Sequence, residues 1–360
     1  MNTNTKHTID NALLKSVFMI QNPSNNRWCN DRTMDIIRGL APKGCTVVRN
    51  RGNMLIRKGP AEGPHPYYLA HMDQVHDYEP GMSLKITGDT LSALDGNRKQ
   101  TGVGGDDKCG IYLALAMLHS LDHCTAVFVR DEETGCYGSG EVPLEWFKHA
   151  AFVIQADRNN RTMDVIRSTN GMLCASDEFM DALLAMPTAV KHGHKPAEGS
   201  VTDIGELASR DLAISMVNIS SGYHNPHCSN ETVRLSELEI ACTLALEAGL
   251  ILGKEFWEHV PTSSWVRSVR SASTSGSFFN KAKTTDTITP KYWGDDDFGA
   301  AFDSKCIQYD DKEWLIEELT SLGYDRELHN LDIMTTDDLE YLLEELETNL
   351  AFEEEISPAK

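Results

Sequence analysis

Short apolar segments in this chain repeatedly run into a histidine or a carboxylate. The segment PYYLAH ends at His71, CTAVFVR leads into Glu132 and Glu133, and AFVIQA leads into Asp157. A segment with a buried-helix pattern, GIYLALAMLHSL, lies between the first two. This alternation predicts an α/β three-layer sandwich around a mixed, largely parallel sheet. Because open α/β sheets bind ligands at the carboxyl ends of their strands, we expect these polar side chains to meet there.

The flanking segments predict the other elements of this domain. Apolar spacing predicts a helix over residues 9–20 and a second helix that Asp31 or Thr33 caps and Gly39 ends. The stretch CTVVRNRGNMLIRKG predicts a hairpin that turns at residues 51–53. A long apolar-faced helix from Leu235 to Leu252 is expected to close the sheet.

The distribution of charge along the chain separates a core from an acidic C-terminal tail. The chain of 360 residues has a formal net charge of −21, and residues 295–360 carry 21 acidic and only four basic side chains. Residues 261–288 are rich in Ser and Thr. We therefore predict a catalytic-type domain over 1–258, a linker or mobile loop over 259–300, and a small acidic helical appendage over 301–360. Within the appendage, the pattern predicts helices over 311–322 and 336–350.

Composition disfavours several classes of protein. A charge of −21 argues against a nucleic-acid partner, since phosphate binding needs a basic surface. The chain contains no run of about 18 apolar residues, so neither a membrane span nor a membrane partner is expected. The N-terminal sequence lacks a basic-then-apolar signal pattern, and a cytoplasmic protein is expected. Nine scattered cysteines without a CxxC pair favour reduced thiols over a disulfide framework.

The ordered histidines and carboxylates have the chemistry of a metal centre. Two divalent ions about 3.5–4 Å apart share a bridging carboxylate and take further His and carboxylate ligands. Such ions polarise a carbonyl and lower the pKa of a bound water, and a carboxylate that binds no metal then moves the proton. The adjacent Glu132 and Glu133 can divide these roles, one as ligand and one as base. The pattern therefore predicts a metal-dependent hydrolase.

Five motifs in one order resemble the co-catalytic di-zinc exopeptidase superfamily, over roughly residues 45–250. They are HMD at 71–73, GGDDK at 104–108, DEETG at 131–135, Asp157, and HCSNE at 227–231. The resemblance is to the carboxypeptidase G, aminoacylase and peptidase T-type family and to the single-domain leucyl aminopeptidases. It implies a zinc exopeptidase-like fold, and two divalent metal ions, most naturally zinc, with cobalt or manganese as alternatives.

The resemblance also implies a role for each residue. Asp106 would bridge both metals, with His71 and Asp157 completing one site and Glu133 and His227 the other. Glu132 would be the general base, and Asp73 would orient His71 by a hydrogen bond. In these families the peptide bond after the bridging Asp is often cis. His224, in the same loop, is the competitor of His227 for the last ligand position.

One departure from the family concerns size. Lidded members insert about a hundred residues or more between the ligands that match Asp157 and His227, whereas 69 residues separate them here. A lid is therefore expected to be absent or tiny. Since the lid carries the usual dimerisation surface, a monomer is favoured.

The substrate expected from this resemblance is a short peptide or an N-acyl amino acid. The leading hypothesis is an exopeptidase, and an N-acyl amino acid deacylase is an alternative within the same chemistry. A second class is a metal-binding regulatory protein without turnover, which binds a protein partner through the acidic C-terminal helices.

Several residues keep two interpretations. Gly104 and Gly105 either allow a close backbone approach or lie in an ordinary loop. Lys108 either pairs with a carboxylate of the site or is surface charge, and Asp203 either supports the site or caps a helix. Cys109 and Cys228 are expected to be packing residues.

Overall fold

The structure is a computed structural model that describes residues 6–159 and 163–263. All of them belong to the first of two compact units of the chain, Met1–Phe279. The predicted appendage over 301–360, and the predicted linker beyond residue 263, lie outside the described residues. The proposed division into domains therefore stays a prediction.

Helices and strands alternate along most of the described chain. The helices are α1 (Asn11–Phe18), α2 (Arg27–Leu40), α3 (Gly105–Ser120), α4 (Tyr137–Glu141), a short 3₁₀ helix (Leu144–Phe147), α5 (Asp177–Leu184), α6 (Pro187–His192), α7 (Asp203–Ser209) and α8 (Leu235–Leu252). The strands are β1 (Thr46–Asn50), β2 (Asn53–Lys58), β3 (His65–His71), β4 (Ser83–Thr87), β5 (Thr90–Leu94), β6 (Gln100–Thr101), β7 (Cys124–Val129), β8 (Ala150–Arg158), β9 (Asp164–Thr169), β10 (Met172–Leu173), β11 (Lys195–Gly199), β12 (Met216–Ser220), β13 (Tyr223–His224), β14 (Thr232–Arg234) and β15 (Thr262–Ser263).

The main sheet is mixed, with a parallel centre. Its strand order is β1-β2-β7-β3-β8-β12-β9-β10-β15, and β11 pairs with β9. The four central strands β7, β3, β8 and β12 are parallel, while β2 and β9 flank them antiparallel. The carboxyl ends of these four strands therefore meet at one edge.

Helices cover both faces of this sheet, which confirms the predicted three-layer α/β sandwich. On one face, Tyr68 and Ala70 of β3 pack in the core cluster that contains α3 and α8. On the other, Tyr67 and Leu69 pack in a smaller cluster that contains α7. Because both faces are buried, β3 reads as a continuous apolar run and all seven of its residues are buried.

A second, antiparallel sheet was not predicted. Its order is β13-β14-β5-β4, with β6 paired to β5. Strand β14 lies between the loop of His227 and α8. This small sheet therefore anchors the chain that carries the last predicted ligand.

The structure corrects the predicted start of the second helix. Helix α2 begins at Arg27, and Asn26 caps it by accepting the backbone N–H of Cys29. Asp31 and Thr33 lie inside the helix. The predicted bounds of α8 are confirmed. No helix among the described residues combines the length and apolarity needed to cross a membrane.

The segment between Asp157 and His227 belongs to the core. Its described part, residues 163–226, contributes β9 to β12 to the main sheet, and helices α5 to α7 pack against that sheet. The described residues of this segment thus form no separate lid domain.

Candidate metal centre

His71, the last residue of β3, is fully buried at the centre of the cluster. Its Nε2 lies 3.0 Å from Oδ1 of Asp106 and 3.8 Å from Oδ1 of Asp157. On the other side of the ring, Nδ1 lies 3.1 Å from the carbonyl oxygen of Asp73. A carbonyl only accepts, so Nδ1 carries a proton, and Nε2 is the ring atom that faces the carboxylates.

Asp106 lies between the two histidines. Its Oδ1 faces His71, and its Oδ2 lies 3.4 Å from Nε2 of His227. A carboxylate whose two oxygens face two separate nitrogen donors has the geometry of a bridging metal ligand. The peptide bond between Asp106 and Asp107 is cis, as the resemblance implied.

His227 is brought to the site, and His224 is not. Nε2 of His227 lies 3.1 Å from Oε2 of Glu133, and its side chain is 50% exposed. His224 instead pairs with Glu237, at 2.6 Å. His227 thus closes the cluster on its solvent side.

The two glutamates after β7 occupy different surroundings. Glu133 contacts His227 through Oε2, whereas its buried Oε1 has no hydrogen-bond partner among the described residues. Oε1 of Glu132 lies 3.7 Å from Sγ of Cys136 and contacts neither histidine by hydrogen bond. The loop therefore presents Glu133 to His227 and leaves Glu132 without a hydrogen bond to a histidine.

Asp157, near the end of β8, is held from several directions. Its Oδ1 accepts a hydrogen bond from the Tyr223 hydroxyl at 3.2 Å, and its Oδ2 accepts one from Nε2 of Gln155 at 3.2 Å. Ligand atoms of His71, Asp107 and Asp157 lie within 4.8 Å of one another, and so do those of His71, Asp106 and Glu133. Asp107, which sequence reasoning did not assign, thus lies at the site.

Asp73 supports both the histidine and the glutamate loop. Its carboxylate lies 3.4 Å from Nδ1 of His71, and it accepts the backbone N–H groups of Glu132 at 3.0 Å and Glu133 at 3.3 Å. The hydroxyl of Ser24 also donates to it, at 2.7 Å. Asp73 is thus a positioning residue for the loop of Glu132 as well as for His71.

Glu231 holds the loop of Asp106 from behind. Its carboxylate is fully buried and accepts the backbone N–H of Gly104 at 2.7 Å and of Asp106 at 3.2 Å. His76 lies 2.8 Å from the same carboxylate. Since Glu231 follows His227 by four residues, it connects the loop of Asp106 to the loop of His227.

The two glycines of this loop are required by the backbone. Gly104 has a φ of 63°, in the left-handed region that favours glycine. A Cβ at Gly105 would lie 2.6 Å from Cβ of Tyr223, so no larger residue fits without a shift. The prediction that these glycines allow a close backbone approach is confirmed.

Burial and charge perturb the site strongly. Burial, reinforced by repulsion from Asp106, raises the pKa of Asp157 well above its usual value. Burial likewise raises the pKa of Glu132 to about 10, with Asp157, Asp203 and Asp106 adding to it. The hydrogen bonds to Asp106 and Glu133 raise the pKa of His227 to about 11. Added cations would lower the raised pKa values of Asp157 and Glu132.

The clustered donors have the chemistry of a divalent-metal site. Imidazole nitrogens and carboxylate oxygens of five residues lie 3.0–3.8 Å from one another in neighbouring pairs: His71, Asp106, Asp157, Glu133 and His227. The unpartnered Oε1 of Glu133 is the kind of buried oxygen that a cation satisfies. Imidazole with carboxylate is a ligand set suited to zinc, and it also admits cobalt or manganese.

The structure decides two further assignments near the site. Lys108 is buried, which excludes the surface-charge alternative, and its Nζ donates to the carbonyl of Val103 at 3.0 Å. Burial lowers the pKa of Lys108 to about 8. Cys228 is exposed, so its assignment as a packing residue was wrong, whereas Cys109 is buried as predicted.

Comparison with solved structures identifies the class of fold. No protein-family model matches the chain, and no curated protein sequence matches it. The fold is that of peptidase structures, and the exopeptidase-like fold predicted from the motifs is confirmed.

Two peptidase structures show the similarity over most of their length. The aminopeptidase PepT from Bacillus cereus has a TM-score of 0.51 and 13% identity, over 66% of this chain and 96% of that chain. A tripeptidase from Staphylococcus aureus has a TM-score of 0.52 and 14% identity, over 68% of this chain and 98% of that chain. At these identities the comparison concerns the fold, and the chemistry has to be argued from the side chains.

Proposed function

We propose that this protein is a metal-dependent hydrolase that cleaves a peptide or amide bond with a metal-activated water. The observation that carries the proposal is the position of Asp106, whose two carboxylate oxygens face His71 at 3.0 Å and His227 at 3.4 Å. His71, Asp157 and Asp106 would hold one ion. Glu133, His227 and Asp106 would hold the other.

Two divalent ions bound there would supply Lewis acidity and lower the pKa of a bound water. The residues supply the rest of the chemistry. Glu132 has no hydrogen bond to either histidine, and bound cations would lower its pKa, so its carboxylate would then accept the water's proton and pass it to the leaving amine. The water oxygen bonds to the carbonyl carbon, the C–N bond breaks, and the proton leaves with the amine.

The support around Glu132 suits a general base. Asp73 accepts the backbone N–H groups of Glu132 and Glu133, and it also faces His71. One carboxylate therefore sets the distance between the proposed base and a proposed ligand. Such preorganisation lowers the cost of reaching the reactive geometry.

The proposed substrates are short peptides, with N-acyl amino acids as the alternative. The fold shared with an aminopeptidase and a tripeptidase supports the first. The described part of the segment between Asp157 and His227 forms no lid domain, which supports an open approach to His227, half of whose side chain is exposed.

The experiment that tests this function measures metal and activity together. Metal analysis of the purified full chain should find two equivalents of a divalent ion. The same preparation, supplied with zinc, cobalt or manganese, should hydrolyse members of a library of dipeptides, tripeptides and N-acyl amino acids. Which members are cleaved separates an exopeptidase from a deacylase.

Two equivalents of metal without hydrolysis of any library member would favour the alternative of a metal-binding protein without turnover. In that case a pull-down with the full chain should recover a protein partner. Absence of metal binding would contradict both functions.

A further inference from the structure

Gln155 lies two residues before Asp157 on β8, so both side chains leave the same face of the strand. Gln155 is fully buried. No part of the proposed reaction uses this amide, yet it contacts a proposed metal ligand directly.

Every hydrogen-bonding position of the Gln155 amide is occupied. Nε2 donates to Oδ2 of Asp157 at 3.2 Å and to Oδ2 of Asp203 at 3.1 Å. Oε1 accepts from the Thr202 hydroxyl at 2.9 Å and from the backbone N–H of Ile204 at 3.3 Å. Since all four contacts are made, the amide has one orientation, with its NH₂ group toward the two carboxylates.

Asp203, which accepts the second hydrogen bond from the Gln155 amide, is itself held in place. Its carboxylate is fully buried, and its Oδ1 accepts a hydrogen bond from the Ser139 hydroxyl at 2.7 Å. Ser139 follows the loop of Glu132 and Glu133, in α4. The path from Asp157 through Gln155 and Asp203 therefore reaches the loop that carries the proposed base.

The backbone of Asp157 is held separately from its side chain. Asn218 of β12 accepts the N–H of Asp157 at 2.8 Å and donates to its carbonyl oxygen at 2.8 Å. The backbone of Asp157 is therefore held by contacts that do not involve the Gln155 amide. For the Asp157 carboxylate itself, the Tyr223 hydroxyl holds Oδ1, and Gln155 holds Oδ2.

We propose that Gln155, anchored on Asp203, is a positioning residue that orients the Asp157 carboxylate for one of the two metal positions. The inference rests on the proposed function. It predicts a selective defect, because His227 and Glu133 of the other metal position make no contact with Gln155 among the described residues.

The test replaces Gln155 with leucine in the full chain and titrates the metal-free protein with Co²⁺. Calorimetry and the Co²⁺ absorption spectrum follow the two equivalents separately. We expect Gln155→Leu to weaken one equivalent by about 10- to 100-fold, the usual effect of losing a hydrogen bond to a ligand, and to leave the other near its wild-type value. Gln155→Met, which keeps the length of the side chain, should give the same pattern if the leucine variant does not fold.

Thr188→Val is the matched control. It also removes a buried side-chain hydrogen bond, from the Thr188 hydroxyl to Glu247, but it touches no residue of the site. Wild-type affinity for both equivalents in Thr188→Val, with loss of one in Gln155→Leu, supports the inference.

Two results would overturn it. One is unchanged binding of both equivalents by the Gln155 variants, and the other is equal weakening of both, which indicates general loss of structure. A wild-type protein that binds no metal would instead overturn the proposed function, so the two failures are distinguishable.

Discussion

At the scale of single residues, the two adjacent glutamates after β7 have side chains with different contacts. The backbone of both donates to Asp73, but only the side chain of Glu133 contacts a histidine. The side chain of Glu132 is left near Cys136. The difference makes Glu132 the residue whose substitution separates metal binding from catalysis.

We expect Glu132→Gln to bind two equivalents of metal and to lose hydrolysis by about 10²- to 10⁴-fold, the usual contribution of a general base. The amide keeps the size of the side chain but accepts no proton. Metal analysis and kcat on the best library substrate check both parts.

Glu62→Gln, which changes an exposed glutamate, is the control and should keep full activity. Wild-type hydrolysis by Glu132→Gln would remove this residue from the role of base.

His65 predicts a pH dependence of stability that is independent of the metal centre. It is 1% exposed, its Nδ1 faces the carbonyl of Gly63 at 2.9 Å, and its Nε2 accepts from the Thr125 hydroxyl at 2.8 Å. Burial lowers the pKa of His65 from 6.5 to about 4. The unfolded chain therefore binds this proton more tightly than the folded chain does. The contribution of His65 to the free energy of unfolding is fully present above about pH 6.5 and is lost as the pH falls toward 4.

Urea unfolding of the metal-free protein between pH 4 and 7 checks this prediction. His65 should contribute a slope of at most about 1.4 kcal/mol per pH unit in that window, because one proton is taken up on unfolding. His65→Gln should lose that part of the slope. His119→Gln, which changes an exposed histidine, should keep the wild-type slope. Equal slopes in wild type and His65→Gln would contradict the assignment.

Sequence alone predicted the site residues whose chemical type and order along the chain already indicate a metal site. His71, Asp106, Glu133, Asp157 and His227 follow strand-like or Gly-rich segments in a recognisable order, and the structure brings them together. Their metal-binding roles remain a prediction that metal analysis has to test.

The supporting residues were not predictable in the same way. Gln155 is an ordinary polar residue until Asp203, 48 residues later, is placed beside it. Glu231 contacts Gly104 across 127 residues. Contacts between residues far apart in the sequence leave no local pattern. Only Glu231, four residues after His227, had a spacing that pointed to the site.

At the scale of elements, the loop that enters α3 depends on a single carboxylate from another part of the chain. Glu231→Ala would leave the backbone N–H groups of Gly104 and Asp106 without their acceptor. Each buried N–H left unpaired costs about 1–3 kcal/mol, so we expect a loss of about 2–6 kcal/mol in the free energy of unfolding for the two groups. Displacement of Asp106 should also weaken the binding of both metal equivalents.

Glu247→Ala is the matched control for this change. Glu247 is also buried and accepts the backbone N–H of Thr188 at 3.0 Å, away from the site. It should lose comparable stability in urea and keep wild-type metal affinity. Equal metal affinity in the two variants would contradict a special role for Glu231.

The elements that position the site were predicted where burial leaves a strong pattern. Strands β3, β7 and β8 are apolar on both faces, and α8 has a long apolar face, so both kinds of element were recognised. The small sheet of β4 to β6, β13 and β14 was missed. Its strands are two to five residues long, and β14 pairs with β5 across more than a hundred residues of sequence.

At the scale of the whole molecule, folding brings like charges together. Six carboxylates of the site, Asp73, Asp106, Asp107, Glu132, Glu133 and Asp157, are at least partly buried around two histidines. Divalent cations bound there stabilise the folded chain by mass action. At a metal concentration 100 times Kd the gain is about 2.7 kcal/mol.

We therefore expect chelation to lower Tm by several degrees and added zinc to restore it, measured by calorimetry on the full chain. Asp106→Asn, which weakens the bridging ligand, should show little response to zinc. An identical Tm with chelator and with excess zinc, cobalt or manganese would contradict the metal centre.

The contact of Ser24 with Asp73 has a consequence for the N-terminal region. The turn between α1 and α2 donates the Ser24 hydroxyl to Asp73 and the Asn25 backbone N–H to Asp131. Hydrogen bonds therefore connect the turn between the first two helices to Asp73, which in turn accepts the backbone N–H of Glu132. Since Val17 and Phe18 of α1 are also fully buried in the main core, shortened variants that lack these helices would lose core packing together with the support of the Glu132 loop.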